Sequence, residues 1–292
     1  MQPQLQNAIK QKLSEQLSLS ENMTVAAVGG GSINETYQLN FGDRKIFCKL
    51  NSATMYPRLF LKEQAGLALI AKQGIIKTPS AIDCFEASGY QILLLEWIEE
   101  GERTQGFWKK FGEQLAALHQ LTNNSFGLDE DNYMGSVPQQ NNTETGWITF
   151  FIHQRLHPMI NRCSEKNLLA STHHQQFEKL FVKLPDIFEP TEKPSLLHGD
   201  LWSGNFMCNQ NKEPVLIDPA VYYGHRCMDL AMTTLFGGFH KSFYETYDYH
   251  FPFPANYKEQ WAVCNLYPLL IHLYLFGRSY LPQIEQTLIR FK

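Results

Sequence analysis

Within Ser195–Phe206, read SLLHGDLWSGNF, the carboxylate of Asp200 and the carboxamide of Asn205 stand at Asp-x-x-x-x-Asn spacing, each directly after a flexible glycine, Gly199 and Gly204. That spacing suits phosphoryl transfer. A carboxylate at Asp200 can accept the proton of an attacking hydroxyl, and the amide oxygen of Asn205 can ligate a hard cation such as Mg²⁺. A merely capped turn accounts poorly for His198, Asp200 and Asn205 together. Downstream, the apolar run of PVLIDPA ends in Asp218. A strand-end aspartate behind such a loop supplies the second metal-ligating carboxylate, here with Pro219 where the kinase Asp-Phe-Gly sequence has Phe.

Three upstream features extend the pattern. Gly29-Gly30-Gly31-Ser32 lies between two strand-like runs, where exposed backbone N–H groups could cradle phosphate oxygens. Alone it fits a sterically tight hairpin equally well, and no Gly-Lys-Ser/Thr follows to make a Walker A loop. Lys49 sits on a strand and Glu63 on the next helix. A lysine on an inward strand face needs an anionic partner, which a helix glutamate and a nucleotide phosphate would supply. Each feature is modest by itself. Their order (glycine turn, strand lysine, helix glutamate, Asp-x₄-Asn, strand-end aspartate) is the kinase order.

These side chains need elements to hold them. Leu5, Ala8, Ile9, Leu13 and Leu17 recur at helical spacing. VAAV, TYQLNF and KIFCKL then read as strands, the last two joined at Gly42-Asp43, with Ile46, Cys48 and Leu50 on one face and Phe47 and Lys49 on the other. A helix follows with Leu59, Glu63, Leu67 and Ile70 on one stripe, then strands SAIDCF and YQILLLEWI. From Phe107 the pattern is mainly helical. One helix carries Phe107, Phe111, Leu115 and Leu118, and another carries Ile148, Phe151, Ile152, Arg155 and Met159. SLLH, NFMCN and PVLID are strand-like exceptions around the chemical loop. The expected fold is α+β and two-lobed, protein-kinase-like: a small antiparallel-sheet lobe over residues 1–98 and a larger, mainly helical lobe over 99–292.

Bulk properties exclude other classes. Of 292 residues 43% are hydrophobic and 18% charged, with net charge −4, which offers no nucleic-acid or basic membrane-binding footprint. The longest apolar runs fall short of the roughly 20 residues a membrane span needs. Six cysteines without a Cys-x-x-Cys pair argue against a disulfide framework or zinc site and fit a cytoplasmic protein. His153 and His157 lack the adjacent glutamate of a zinc-protease helix, and His173-His174 lies in a polar, solvated stretch.

LLHGDLWSGNF, followed by IDPAVYYGHRCMDLAM and FGGF, strongly resembles the fructosamine kinase (ketosamine 3-kinase) family, within the superfamily of aminoglycoside and choline phosphotransferases. GGGSINETY, LLLEWI and LYPLLIHLYLFG extend the likeness over nearly the whole chain. The resemblance implies ATP-dependent phosphorylation of the sugar 3-hydroxyl of free or protein-bound ketosamines, a deglycation repair. It makes Asp200 the proton acceptor and Asn205 and Asp218 the Mg²⁺ ligands. Gly30, Gly31, Ser32 and Lys49 would contact the nucleotide and Glu63 would position the lysine. Glu96, Trp97 and Ile98 would offer backbone hydrogen bonds to adenine, and Trp202 would line the sugar pocket. Asp229 would cap a helix and brace the catalytic loop. Many relatives carry cysteine where this chain has Ser32, so no thiol switch through that loop is expected. The alternatives are an aminoglycoside- or choline-type phosphotransferase and a nucleotide-binding scaffold without transfer activity.

Overall fold

The computed structural model describes residues 1–17, 22–29 and 33–291, so Gly30, Gly31 and Ser32 lie outside the described residues. The chain separates into two compact units: Met1–Glu102 with Met207–Asp218, and Arg103–Phe206 with Pro219–Lys292.

The first unit is built on a five-stranded antiparallel sheet. Its strands are β1 (Met23–Ala27), β2 (Glu35–Phe41), β3 (Arg44–Ser52), β4 (Ala81–Ala87) and β5 (Tyr90–Glu96), in the order β1-β2-β3-β5-β4. Gly42 and Asp43 form the two-residue loop between β2 and β3, with Gly42 at φ 54 as such a turn requires. Alternation along β3 sets the two faces. Ile46, Cys48 and Leu50 join Leu5, Ile9 and Leu13 of helix α1 (Pro3–Leu17) in one core. Lys49 points the other way, toward helix α2 (Leu59–Ala71), which buries Leu59, Glu63, Leu67 and Ile70 as its spacing predicts. A distant hairpin, Phe206–Cys208 with Pro214–Leu216, joins this unit from Met207 on. Val215 pairs with Lys77, and the Leu216 N–H donates to the Lys77 carbonyl at 2.8 Å.

In the second unit helix α3 (Gln105–His119) starts where the Thr104 hydroxyl accepts from the Phe107 N–H, and it buries Phe107, Phe111, Leu115 and Leu118. It packs closely on helix Lys241–His250 because Gly112 has no side chain: a Cβ there would lie 2.3 Å from the Phe243 carbonyl oxygen. Aromatic rings of Phe206, Phe239 and Phe243 close that core. The segment expected as one helix from Trp147 is instead α-helical at Trp147–Phe150 and His157–Glu165, with a π-helical turn at Phe151–Leu156 between them. The wider turn changes the expected stripe. Phe151, Arg155 and Met159 are buried, Phe150 and Leu156 join them, and Ile148 and Ile152 are only partly covered. Helices Ser171–Ile187, Cys227–Leu235, Tyr257–Cys264, Leu266–Phe276 and Leu281–Leu288 and the short hairpin Asn132–Met134 with Val137–Gln139 also belong to this unit. His173 and His174 are not simply solvated, since they meet Glu285 at 3.0 Å and Ser164 at 2.8 Å. No helix among the described residues is long and apolar enough to cross a membrane.

Candidate active site

In the first unit the strand of Lys49 and the helix of Glu63 bring opposite charges together in a dry place. Lys49 is 1% exposed, and its Nζ lies 2.8 Å from both Glu63 carboxylate oxygens. A third contact, 2.9 Å long, reaches Asp218 Oδ1. Burial disfavours the ammonium, but Asp218 and Glu63 outweigh it and raise the Lys49 pKa, so the side chain stays cationic. Burial likewise pushes the Glu63 carboxyl up, to about 7, against the pull of Lys49 and with a further push from Asp218. Two carboxylates thus compete for one lysine.

Asp218 adopts the left-handed region, φ 53, just beyond the strand Pro214–Leu216. Aspartate visits that region more readily than bulky residues, and the turn aims its partly exposed side chain off the end of the strand.

Glu96, Trp97 and Ile98 line a cavity of about 260 Å³ together with Asn209 and Val215 of the hairpin. The segment after Ile98 lies along that hairpin: Glu100 pairs with Asn209, and the Gly101 N–H donates to the Cys208 carbonyl at 2.7 Å. Only glycine fits there, because a Cβ on Gly101 would stand 2.0 Å from the Asn209 carbonyl oxygen.

In the second unit strand Ser195–Leu197 pairs with Tyr222–Gly224 and delivers the chain into the His198–Asn205 loop. Gly199, at φ 86, passes so near the neighbouring backbone that a Cβ would meet the Ala220 carbonyl oxygen at 2.0 Å. The Ala220 N–H donates to the His198 carbonyl at 2.9 Å. Within the loop the Asn205 side-chain N–H donates to the Asp200 carbonyl at 2.8 Å, and the Trp202 N–H to the same carbonyl at 3.1 Å. The Trp202 ring folds over Gly204, where a Cβ would collide with it at 2.3 Å. From Trp202 an aromatic wall continues through Phe236, His272 and Phe276, with ring centroids 5.9, 4.9 and 5.5 Å apart in succession.

Asp229 carries the loop from below. Its carboxylate accepts from the His198 N–H at 2.7 Å and the Gly199 N–H at 2.8 Å. It lies in the first turn of helix Cys227–Leu235 without capping that helix; the residue in the capping position is Arg226. The amides it caps are those of the loop, which corrects half of the expected role. Burial opposes its charge, but His119, His198 and the Gly199 amide hold its pKa below the usual carboxylate range. His119 is fully buried, with Nε2 3.2 Å from Asp229 and Nδ1 2.9 Å from the Tyr247 hydroxyl. The sequence reading missed His119, although a polar residue at the end of an apolar helical stripe is a usable signal. It also missed Gly101, which nothing nearby marks as special.

Comparison with known proteins gives the family of the chain. The family model described as fructosamine kinase matches residues 5–291. A probable ketoamine kinase of Lactiplantibacillus plantarum is 38% identical over 280 residues, 94% of this chain and 97% of that one. A chloroplastic protein-ribulosamine 3-kinase of Arabidopsis thaliana is 34% identical, covering 88% of this chain and 78% of its own. The crystal structure of a putative fructosamine-3-kinase from Haemophilus somnus superposes with TM-score 0.87 at 29% identity, covering 97% and 96% of the two chains. The choline kinase LicA of Streptococcus pneumoniae shares the fold alone, with TM-score 0.62 at 16% identity over 98% of each chain. The fold is kinase-like, and the molecule is an ATP-dependent phosphotransferase. The chain belongs to the fructosamine kinase family.

Proposed function

We propose that this protein phosphorylates the 3-hydroxyl of ketosamine sugars, the Amadori-type adducts of amines, using ATP and Mg²⁺. The observation that carries the reading is the buried Lys49 held by Glu63 and reaching Asp218. A lysine buried among carboxylates, in the kinase order of residues, is placed to neutralise a phosphate chain that enters beside it. In this reading residues 1–98 carry nucleotide binding and 99–292 the catalytic loop and acceptor pocket. The backbone of Glu96–Ile98 receives the adenine, and Gly30, Gly31 and Ser32 cover the phosphates.

Asn205 and Asp218 would hold Mg²⁺, and their donor chemistry fits it. Both offer hard oxygens, and the Asn205 side-chain nitrogen is already committed to the Asp200 carbonyl, which leaves its oxygen for a cation. The ion supplies neutralisation of the charge that builds on the transferring group. Asp200 accepts the proton of the sugar hydroxyl, and its backbone is fixed before substrate arrives, so little reorganisation accompanies transfer. The wall of Trp202, Phe236 and His272 offers an apolar surface for sugar C–H groups. Six free thiols fit a reducing, cytoplasmic setting.

The test is ADP release measured with ribulosamine and fructosamine adducts, kanamycin and choline as acceptors. Turnover with the sugar adducts above the acceptor-free rate supports the assignment, and turnover confined to kanamycin or choline moves the protein to the aminoglycoside or choline class. In the same assay Asp200→Asn should lower turnover by about two to four orders of magnitude. Near-normal turnover of that variant would show that another group takes the proton.

A further inference from the structure

Arg155 is fully buried, yet its hydrogen-bond acceptors are neutral: the carbonyl oxygens of Gln140 and of Gln154 (3.0 Å) and the Asn141 side-chain oxygen at 2.8 Å. Its guanidinium lies 4.0 Å from the ring centre of Tyr222 and 4.6 Å from that of Phe150. Cation–π contacts offset part of the desolvation of a buried charge, but an apolar side chain of similar volume would stabilise such a site at least as well. Stability alone therefore does not explain the residue. It also stands on the π-helical turn Phe151–Leu156, and single π turns inside α-helices recur at functional sites.

A polar layer leads from Arg155 to the catalytic loop. Asn141, held by Arg155, donates to the Asn132 side-chain oxygen at 3.1 Å, and Asn132 donates to the Val221 carbonyl at 2.7 Å. Gln139 donates to Asn132 at 2.8 Å and to the Ala220 carbonyl at 3.2 Å, and accepts from the Tyr267 hydroxyl at 2.9 Å. Ala220 is the residue against which Gly199 packs and whose N–H donates to the His198 carbonyl, two residues before Asp200. Burial pushes the Tyr267 phenol up to about 12, with Arg155 pulling it down and the Asp200 carboxylate adding a push, so Tyr267 lies within the electrostatic reach of Asp200.

We propose that Arg155 is a positioning residue for phosphoryl transfer: through Asn141, Asn132, Gln139 and Tyr267 it fixes the Ala220–Val221 backbone, and with it the loop that presents Asp200. The inference rests on the reading of Asp200 as proton acceptor. Asp229 holds the His198 and Gly199 amides, and the Arg155 layer holds Ala220, the residue those amides pack beside. Both supports are needed to set a side chain to within the tolerance that proton transfer demands.

The test compares Arg155→Met, Arg155→Lys and Tyr267→Phe with the parent protein, all rates counted per folded molecule. The milder Tyr267→Phe guards against loss of folding in the arginine variants. Arg155→Met should lower kcat by about a hundredfold and Tyr267→Phe by about tenfold, with the KM for ATP changed less than about threefold and Arg155→Lys partly restoring kcat. Hydrogen exchange at Ala220 and His198–Asp200 should quicken by at least about tenfold in Tyr267→Phe. A lower melting temperature with unchanged exchange there and turnover per folded molecule within twofold would overturn the proposal. Should the parent protein phosphorylate no sugar adduct, the acceptor assignment fails, and exchange together with acceptor-free ATP hydrolysis still decides the positioning.

Discussion

Asp218 reaches Lys49 from a left-handed backbone at the end of its strand, so one side chain answers to two demands. In the proposed reaction it must leave Lys49 to the phosphates and take a metal. Asp218→Ala should therefore abolish the Mg²⁺ dependence of ATP binding, read by calorimetry with and without the ion, while Lys49 keeps Glu63. Persistence of a metal-dependent term would place the second ligand elsewhere. Gly199 makes a second prediction at this scale. Its φ of 86 and the Ala220 carbonyl oxygen, 2.0 Å from where a Cβ would stand, leave no room for a methyl, so Gly199→Ala should destabilise by more than about 2 kcal/mol in denaturant titration. Residues of this kind were legible in the sequence because residue type and spacing carry their chemistry. Lys49, Glu63, Asp200, Asn205 and Asp218 each announce a charge or a donor. Arg155 was legible as a member of a buried stripe, but its neutral surroundings were not, because they come from the Gln140 carbonyl and Asn141 of another segment and from the rings of Tyr222 and Tyr267, far off in the chain.

Elements set by local pattern matched the sequence reading well. Alternation gave β2 and β3, short apolar runs around a Ser-Gly turn gave β4 and β5, the Gly42-Asp43 pair gave the hairpin, and the apolar stripe gave α2 and α3. The π-helical turn at Phe151–Leu156 did not show, since one extra residue per turn leaves the apolar pattern readable as an ordinary helix. Nor did the union of Gly101 with the hairpin strand ending at Cys208, a contact between segments about a hundred residues apart in which the backbone, not a side chain, is the partner. That contact holds the segment beyond Ile98 against the hairpin that lines the cavity beside Glu96–Ile98. Gly101→Val, which adds branched bulk 2.0 Å from the Asn209 carbonyl, should push the segment off and raise the KM for ATP by about tenfold. Its kcat at saturating ATP should remain within about threefold, because nothing in the His198–Asn205 loop is touched. A fall in kcat with KM unchanged would show that the segment serves transfer and not nucleotide binding.

For the molecule as a whole, no local composition marks Met207–Asp218 as part of the first unit, yet it folds there and carries Asp218 with it. Two units with separate cores need not unfold together, and their responses to acid differ by the charges each buries. In the second unit Glu192 accepts from Arg226 Nε at 2.8 Å and lies 3.1 Å from His225 Nε2. Burial opposes its charge, but His225 and Arg226 prevail and bring the carboxyl down to about 2. A carboxyl whose folded pKa is depressed contributes stability that is present above its unfolded value and lost as pH falls through the folded one. The window here runs from about 4.5 down to about 2, and the contribution is about 3 kcal/mol. Unfolding of the second unit should therefore shift to lower denaturant as pH falls through that window, followed by tryptophan fluorescence, since Trp108, Trp147, Trp202 and Trp261 all lie in it. Glu192→Gln should flatten this dependence while lowering stability at neutral pH, because His225 and Arg226 then keep their burial without a counter-charge. An unchanged acid profile in that variant would assign the acid sensitivity to other carboxylates.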